Sequence, residues 1–123
     1  VRTAPMHRPV EMLSGGQRQV IAIARSAVRV QGDTSGILLL DEPTAALGYE
    51  QTRLVEGLIR TMAGRGIAIV LVTHNLPLAF TVADRMVVLN RGRKVADVRT
   101  ADTENDHIVG WITGARASQF ATA

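Results

Sequence analysis

Three short runs carry the residue types that could do chemistry. The first, Leu13-Ser14-Gly15-Gly16-Gln17, sets a hydroxyl and two glycines directly before an apolar helical pattern. Ser14 has the side chain of a helix cap, Gly15 and Gly16 let the backbone approach a ligand closely, and the N–H groups of a first helical turn supply positive potential for an anion. Phosphate binding is the chemistry this run suits, although an ordinary capped helix start uses the same residues. The second run is Asp41-Glu42, two carboxylates leaving the apolar stretch Ile37-Leu38-Leu39-Leu40. Alternation along a strand sends adjacent side chains to opposite faces, so one acid can serve a metal while the other meets a different reacting atom. In phosphoryl transfer Asp41 suits Mg²⁺, and Glu42 suits orienting or deprotonating the attacking water. Asp-Glu-Pro is equally a way to turn a buried strand into solvent. The third run, Thr73-His74-Asn75, follows a second apolar stretch and brings an imidazole, which by itself is most simply a polar strand end.

The elements that must position these residues are readable from periodicity. Val1 to Met12 carries Pro5 and Pro9 and no period, so it reads as an irregular entry segment. A helix is expected from Ser14 to about Val30, with Val20, Ile21, Ile23, Ala24, Ala27 and Val28 at helical spacing. Ile37 to Leu40 is a continuous apolar run, the pattern of a parallel strand covered on both faces. A helix over Tyr49 to Met62 and a second buried strand over Ile67 to Val72 follow, with Gly64 and Gly66 between them. Pro77 opens a short helix over Leu78 to Val82, and strands Arg85 to Leu89 and Lys94 to Val98 pair as a hairpin through Asn90-Arg91-Gly92-Arg93. Thr103 and Asp106 are placed to cap a last helix through about Ile112, and the small and polar residues after Gly114 predict a flexible tail. Strand, helix, strand is the sequence sign of a parallel α/β sheet, whose ligands sit beyond the carboxyl ends of its strands. Asp41, Glu42 and His74 all fall there, and that convergence makes a candidate site of them.

Composition narrows the classes of function. The 123 residues suffice for one core, and 46% hydrophobic with 20% charged is ordinary globular usage. Without cysteine the chain can form neither a disulfide framework nor a thiolate metal site. Its apolar runs are strand-sized, so the sequence holds no membrane-spanning candidate. The net charge of +3 comes from arginines scattered along the chain, and aromatics make up only 3%, so no stacking platform for nucleic acid is present.

Taken together, the residues resemble the ATP-binding subunits of ABC transporters along nearly the whole chain. Leu13 to Gln17 resembles the family signature, Ile37 to Glu42 the Walker B strand with its catalytic glutamate, Ala45 to Gly48 the D-loop, and His74 the switch histidine. The resemblance implies that Ser14, Gly15, Gly16 and Gln17 contact the γ-phosphate of ATP bound on an opposite subunit. It implies also that Asp41 serves Mg²⁺, Glu42 polarises water and His74 senses the γ-phosphate. The implied fold is α/β, a partial P-loop NTPase-type domain with parallel strands, crossover helices, a carboxyl-terminal β-hairpin and a short helix. Residues 1–113 would form the carboxyl-terminal part of the nucleotide-binding domain and residues 114–123 a flexible tail.

Two departures from the family pattern shape the functional expectation. No Gly-x-x-x-x-Gly-Lys-Ser/Thr run occurs in the 123 residues, and the family's glutamine loop is missing as well. The chain therefore resembles the carboxyl half of such a domain and is expected not to hydrolyse ATP alone. Ala45 and Gly48 stand where most of the family has serine and aspartate. That form, followed by Gln51-Thr52-Arg53 and later by Ile112-Thr113-Gly114-Ala115, is similar to carbohydrate importers of the ribose, xylose and fructose type. The implied partners are a second ATPase subunit and transmembrane permease subunits, with the chain peripheral on the cytoplasmic side of the cell membrane and no nucleic acid bound. A DNA-repair or chromosome-organising ATPase shares the signature and Walker B patterns but would interpose heptad coils, which the sequence lacks. A non-catalytic module lending its signature helix to a partner is the other alternative.

Overall fold

The computed structural model describes residues 15–31 and 36–121, and the chain divides into two compact units between Leu78 and Ala79. In the first unit, helix α1 (Gly15–Gln31) leads to strand β1 (Ile37–Asp41), helix α2 (Tyr49–Gly64) and strand β2 (Ala68–Val72). β1 and β2 pair in parallel, in register from Ile37 opposite Ala68 to Asp41 opposite Val72, and α2 is the crossover between them. The apolar spacing on α2 buries Val55, Ile59 and Met62, four and three residues apart, so one stripe of the helix faces the core. Its end is closed by Gly66, whose φ of 85° is cheap only without a side chain. On α1 the buried residues Ile23 and Ala27 are four apart, and the helix packs on α2 and β1.

The sheet departs from the sequence expectation on one face. Leu38 and Leu40 are buried at 4% and 7% exposure, whereas Ile37 and Leu39 on the alternate face are 63% and 66% exposed. Val70 and Val72 of β2 are half exposed as well. The continuous apolar run predicts cover on both faces, and among the described residues only one face has it.

Helix α3 (Leu76–Val82) starts two residues before the predicted Leu78, with Pro77 inside its first turn. The Leu78 N–H donates to Asn75 Oδ1 at 3.1 Å, so Asn75 caps it. In the second unit, strands β3 (Arg85–Asn90) and β4 (Arg93–Arg99) form the predicted antiparallel hairpin. Arg91 and Gly92, at φ 51° and 76°, are the paired left-handed residues of a two-residue hairpin loop. Helix α4 (Asn105–Thr113) packs on β3, and Ile108 and Trp111 join Ala79, Met86, Val88 and Ala96 as buried residues of this unit. A bidentate pair between Arg85 and Asp97, at 2.6 Å through each nitrogen, braces the hairpin and holds the Asp97 carboxyl below its ordinary value of 3.8.

One sequence expectation for this unit is corrected. Thr103 does not cap α4, because the helix begins one residue later than that pattern requires and Glu104 occupies the cap position without a side-chain hydrogen bond. The Thr103 hydroxyl is instead buried with no hydrogen-bond partner among the described residues. Among the described residues, 115–121 contain no helix or strand, and several of them hydrogen-bond to the rest of the unit. The Gln119 N–H donates to Val95 O at 2.8 Å, Gln119 Oε1 accepts from the Asp97 N–H at 2.8 Å, and Trp111 Nε1 donates to Ala117 O at 3.0 Å. An unpaired β4 edge offers backbone groups that small polar residues can reach, which composition alone does not register.

The two faces of β1 give a clear contrast for mutation. Leu38→Ala should lower stability by about 2–5 kcal/mol in urea unfolding, because it opens a cavity in the packed face. Leu39→Ser should change stability by less than about 1 kcal/mol while reducing light scattering from aggregates, because it removes exposed apolar surface.

Candidate functional site

The parallel pairing of β1 with β2 brings the loops that follow them side by side. Asp41, the last residue of β1, is exposed, and its carboxylate has no hydrogen bond or ion pair among the described residues. Immediately after it the backbone turns at Glu42, which adopts φ 47° and donates its N–H to Val72 O at 2.7 Å. This bond prolongs the strand ladder by one residue. The left-handed conformation costs a non-glycine residue on the order of 1–3 kcal/mol and is held only where neighbouring contacts fix it.

Those contacts are on the carboxylate itself. Glu42 Oε2 accepts from the Thr73 hydroxyl at 3.2 Å, and Oε1 accepts from the His74 N–H at 2.9 Å. The His74 imidazole Nε2 lies 3.7 Å from Oε1, with its side chain 92% exposed against 33% for Glu42. Two of the predicted site residues, Glu42 and His74, are thus in contact through both main chain and ring. Asp41 stands apart from this cluster, available to a different atom. The separation of the two acids comes from the turn at Glu42 as well as from strand alternation.

A layer of hydrogen bonds behind the cluster joins the two loops. Asn75 N–H donates to Thr73 Oγ1 at 2.9 Å, and Asn75 Nδ2 donates to the buried Thr44 Oγ1 at 3.3 Å. Gln19 of α1 reaches the same region, its Nε2 donating to Pro43 O at 3.1 Å. Thr44, Thr73, Asn75 and Gln19 are absent from the sequence-based list of site residues. The signal for Thr73 and Asn75 was their place on either side of His74, with Asn75 in the capping position before Leu-Pro. Gln19 carried none, because a glutamine in the second turn of a helix pattern is ordinary.

Of the phosphate-binding run, Ser14 and its predicted capping role lie outside the described residues. Gly15 opens α1, followed by Gly16 and Gln17 in its first turn. Gly16 stands against α2, where a Cβ would come within 2.7 Å of Gln51 Cγ. A close approach of helix to helix therefore accounts for one of the two glycines without any ligand.

Among the described residues no three His, Cys, Asp or Glu side chains gather to hold a metal by themselves. A single exposed carboxylate such as Asp41 is nevertheless the usual protein share of a Mg²⁺ site, whose other positions go to water and nucleotide phosphates. The donor set fits Mg²⁺ in that form only.

Comparison with known proteins finds chains of similar sequence and fold. The chain is 41% identical over 111 residues, 90% of its length, to the fructose import ATP-binding protein FrcA of Rhizobium meliloti. It is 35% identical over 113 residues, 92% of its length, to the xylose/arabinose import ATP-binding protein XylG of Sulfolobus acidocaldarius. The chain belongs to the ATP-binding subunits of ABC transporters. A solved ABC transporter of metal-chelate type, in an inward-facing conformation, shares the fold at a TM-score of 0.71 and 27% identity over 87% of the chain. The hemin import ATP-binding protein HmuV of Rhodococcus jostii is 41% identical over 87% of the chain. No family model matches. The chain spans about two fifths of FrcA, XylG and the solved ABC transporter, at 41%, 43% and 41% of their lengths.

The Gly16 contact predicts a non-additive pair. Gly16→Ala gains about 1 kcal/mol of helix propensity but meets Gln51. It should be more stabilising in a Gln51→Ala background than in the parent, and chemical denaturation of the four proteins in the cycle measures the difference.

Proposed function

We propose that this chain works as part of the ATP-hydrolysing subunit of an ABC importer. The observation that carries the proposal is the Glu42 carboxylate, fixed at the end of two paired parallel strands and touching His74, in a chain with ABC ATP-binding relatives. In this reading Glu42 takes the proton of the attacking water or orients it, and His74 contacts the γ-phosphate. Asp41 would hold Mg²⁺ through water, and the ion when bound neutralises charge on the phosphate oxygens. Ser14, Gly15, Gly16 and Gln17 would lie against the γ-phosphate of ATP on a second subunit, where the start of a helix favours an anion.

A sugar is the proposed cargo. Fructose, xylose/arabinose and ribose import proteins recur among the relatives, and Ala45 and Gly48 with Gln51-Thr52-Arg53 resemble that group. Hemin import relatives of similar identity make the cargo the point to test. Partners in this reading are ATP, a second ATPase subunit and transmembrane permease subunits, with the chain peripheral on the cytoplasmic face. No helix among the described residues is long and apolar enough to cross a membrane, which is compatible with that placement.

Two measurements test the reading. The 123-residue chain alone should show no Mg²⁺-dependent ATP turnover, since it contains no Gly-x-x-x-x-Gly-Lys-Ser/Thr loop, and turnover by the purified chain would overturn that part. In a complete subunit containing this chain, Glu42→Gln should lower ATP hydrolysis by about 10²-fold or more while ATP still binds. Undiminished hydrolysis would remove Glu42 from the mechanism. For the cargo, ATP-driven uptake into vesicles of labelled pentoses and hexoses, set against hemin, should select a sugar; uptake of hemin alone would overturn that assignment.

A further inference from the structure

The contacts of Glu42 assign a role to a neighbour. We infer that Thr73 is a positioning residue for ATP hydrolysis, its hydroxyl fixing the plane of the Glu42 carboxylate from which water is activated. The inference rests on the reading of Glu42 as the group that acts on water.

A threonine hydroxyl has one hydrogen to give and lone pairs to receive. Here Asn75 N–H donates to Thr73 Oγ1 at 2.9 Å, so a lone pair is engaged and the hydroxyl hydrogen is directed to Glu42 Oε2 at 3.2 Å. The other carboxylate oxygen, Oε1, is held at 2.9 Å by the His74 N–H, a main-chain donor that no side-chain substitution removes. One donor on each oxygen stops the carboxylate from rotating about its terminal bond. A carboxylate has about four lone-pair directions, so two remain for water. With the Thr73 hydroxyl removed, the group keeps a single anchor and is free to turn about it.

The same geometry separates positioning from stability. At 3.2 Å the Thr73 bond is long for a hydroxyl donor, so its contribution to folding is small. Orientation is more demanding, since a misplacement of about 1 Å in a catalytic group costs on the order of 10²-fold in rate. Asn75 is a poorer test residue, because its side chain also caps α3 through the Leu78 N–H and reaches Thr44. Thr73→Val spares both of these side-chain contacts and, besides the bond to Glu42, removes only the acceptor of the Asn75 N–H.

The experiment is steady-state ATP hydrolysis by the complete subunit containing this chain, assembled in its transporter, with Thr73→Val, Thr73→Ser and Glu42→Gln compared. Thr73→Val should lower kcat by about tenfold or more with the KM for ATP within about twofold of the parent. Its melting temperature should fall by no more than a few degrees, from the Asn75 N–H that loses its acceptor, and Thr73→Ser should restore both that and most of kcat. Retention of kcat by Thr73→Val, a rise in kcat, failure of Thr73→Ser to rescue, or a loss that tracks KM and melting temperature would each overturn the assignment. The Glu42→Gln arm separates the two ideas. If it abolishes hydrolysis while Thr73→Val does not, only the role of Thr73 falls; if it leaves hydrolysis intact, the reading of Glu42 falls and that of Thr73 with it.

Discussion

The bond from the Glu42 N–H to Val72 O is the contact on which the candidate site depends. It carries the parallel ladder one residue beyond β1 and forces Glu42 into its left-handed turn. From there the carboxylate faces the residues that follow β2, and its two oxygens find donors on successive residues, Thr73 and His74. The turn alone is unfavourable for a glutamate, and the three hydrogen bonds offset that cost only while β1 and β2 keep their register. A slip of the pairing would therefore dismantle the site before it unfolded the sheet.

What supports that register lies one layer away. α2 crosses between the strands with Val55, Ile59 and Met62 turned inward, and α1 packs on α2 and β1 through its Ile23 and Ala27 stripe. Gln19 ties α1 to the loop after β1, through Pro43 O. Helix packing and the acid-bearing loop are thus mechanically continuous in the first unit. Polar groups in this layer are paired with one another, as low-dielectric surroundings require of groups that cannot reach water.

The sequence was most readable where a single period or a turn rule decides the outcome. The helices α1 and α2, the strands β1 to β4 and the turn at Gly92 follow from apolar spacing and from a glycine that tolerates positive φ. Asp41, Glu42 and His74 were findable because each ends an apolar run. Thr44 was not, since a threonine in a turn is common and only the fold sets its hydroxyl against Asn75, and Thr73 was marked only by its place beside His74. The capping pattern at Thr103 misled because a 3-10 turn over Thr100–Asp102 delays the helix start, a tertiary effect that residue identity does not encode.

The packing of Trp111 gives the molecule a built-in optical probe. It is the sole tryptophan of the chain, its indole N–H bonded to Ala117 O and its ring covered by the Arg116 guanidinium 5.0 Å from the centroid. The sole tyrosine, Tyr49, belongs to the first unit and is 76% exposed. Indole emission thus follows the unit made by β3, β4, α4 and the residues laid along β4, while the helices α1 and α2 are nearly dark at that wavelength. Far-ultraviolet dichroism, dominated by helix, follows the other unit in the same sample, so the cooperativity between them can be read without any label.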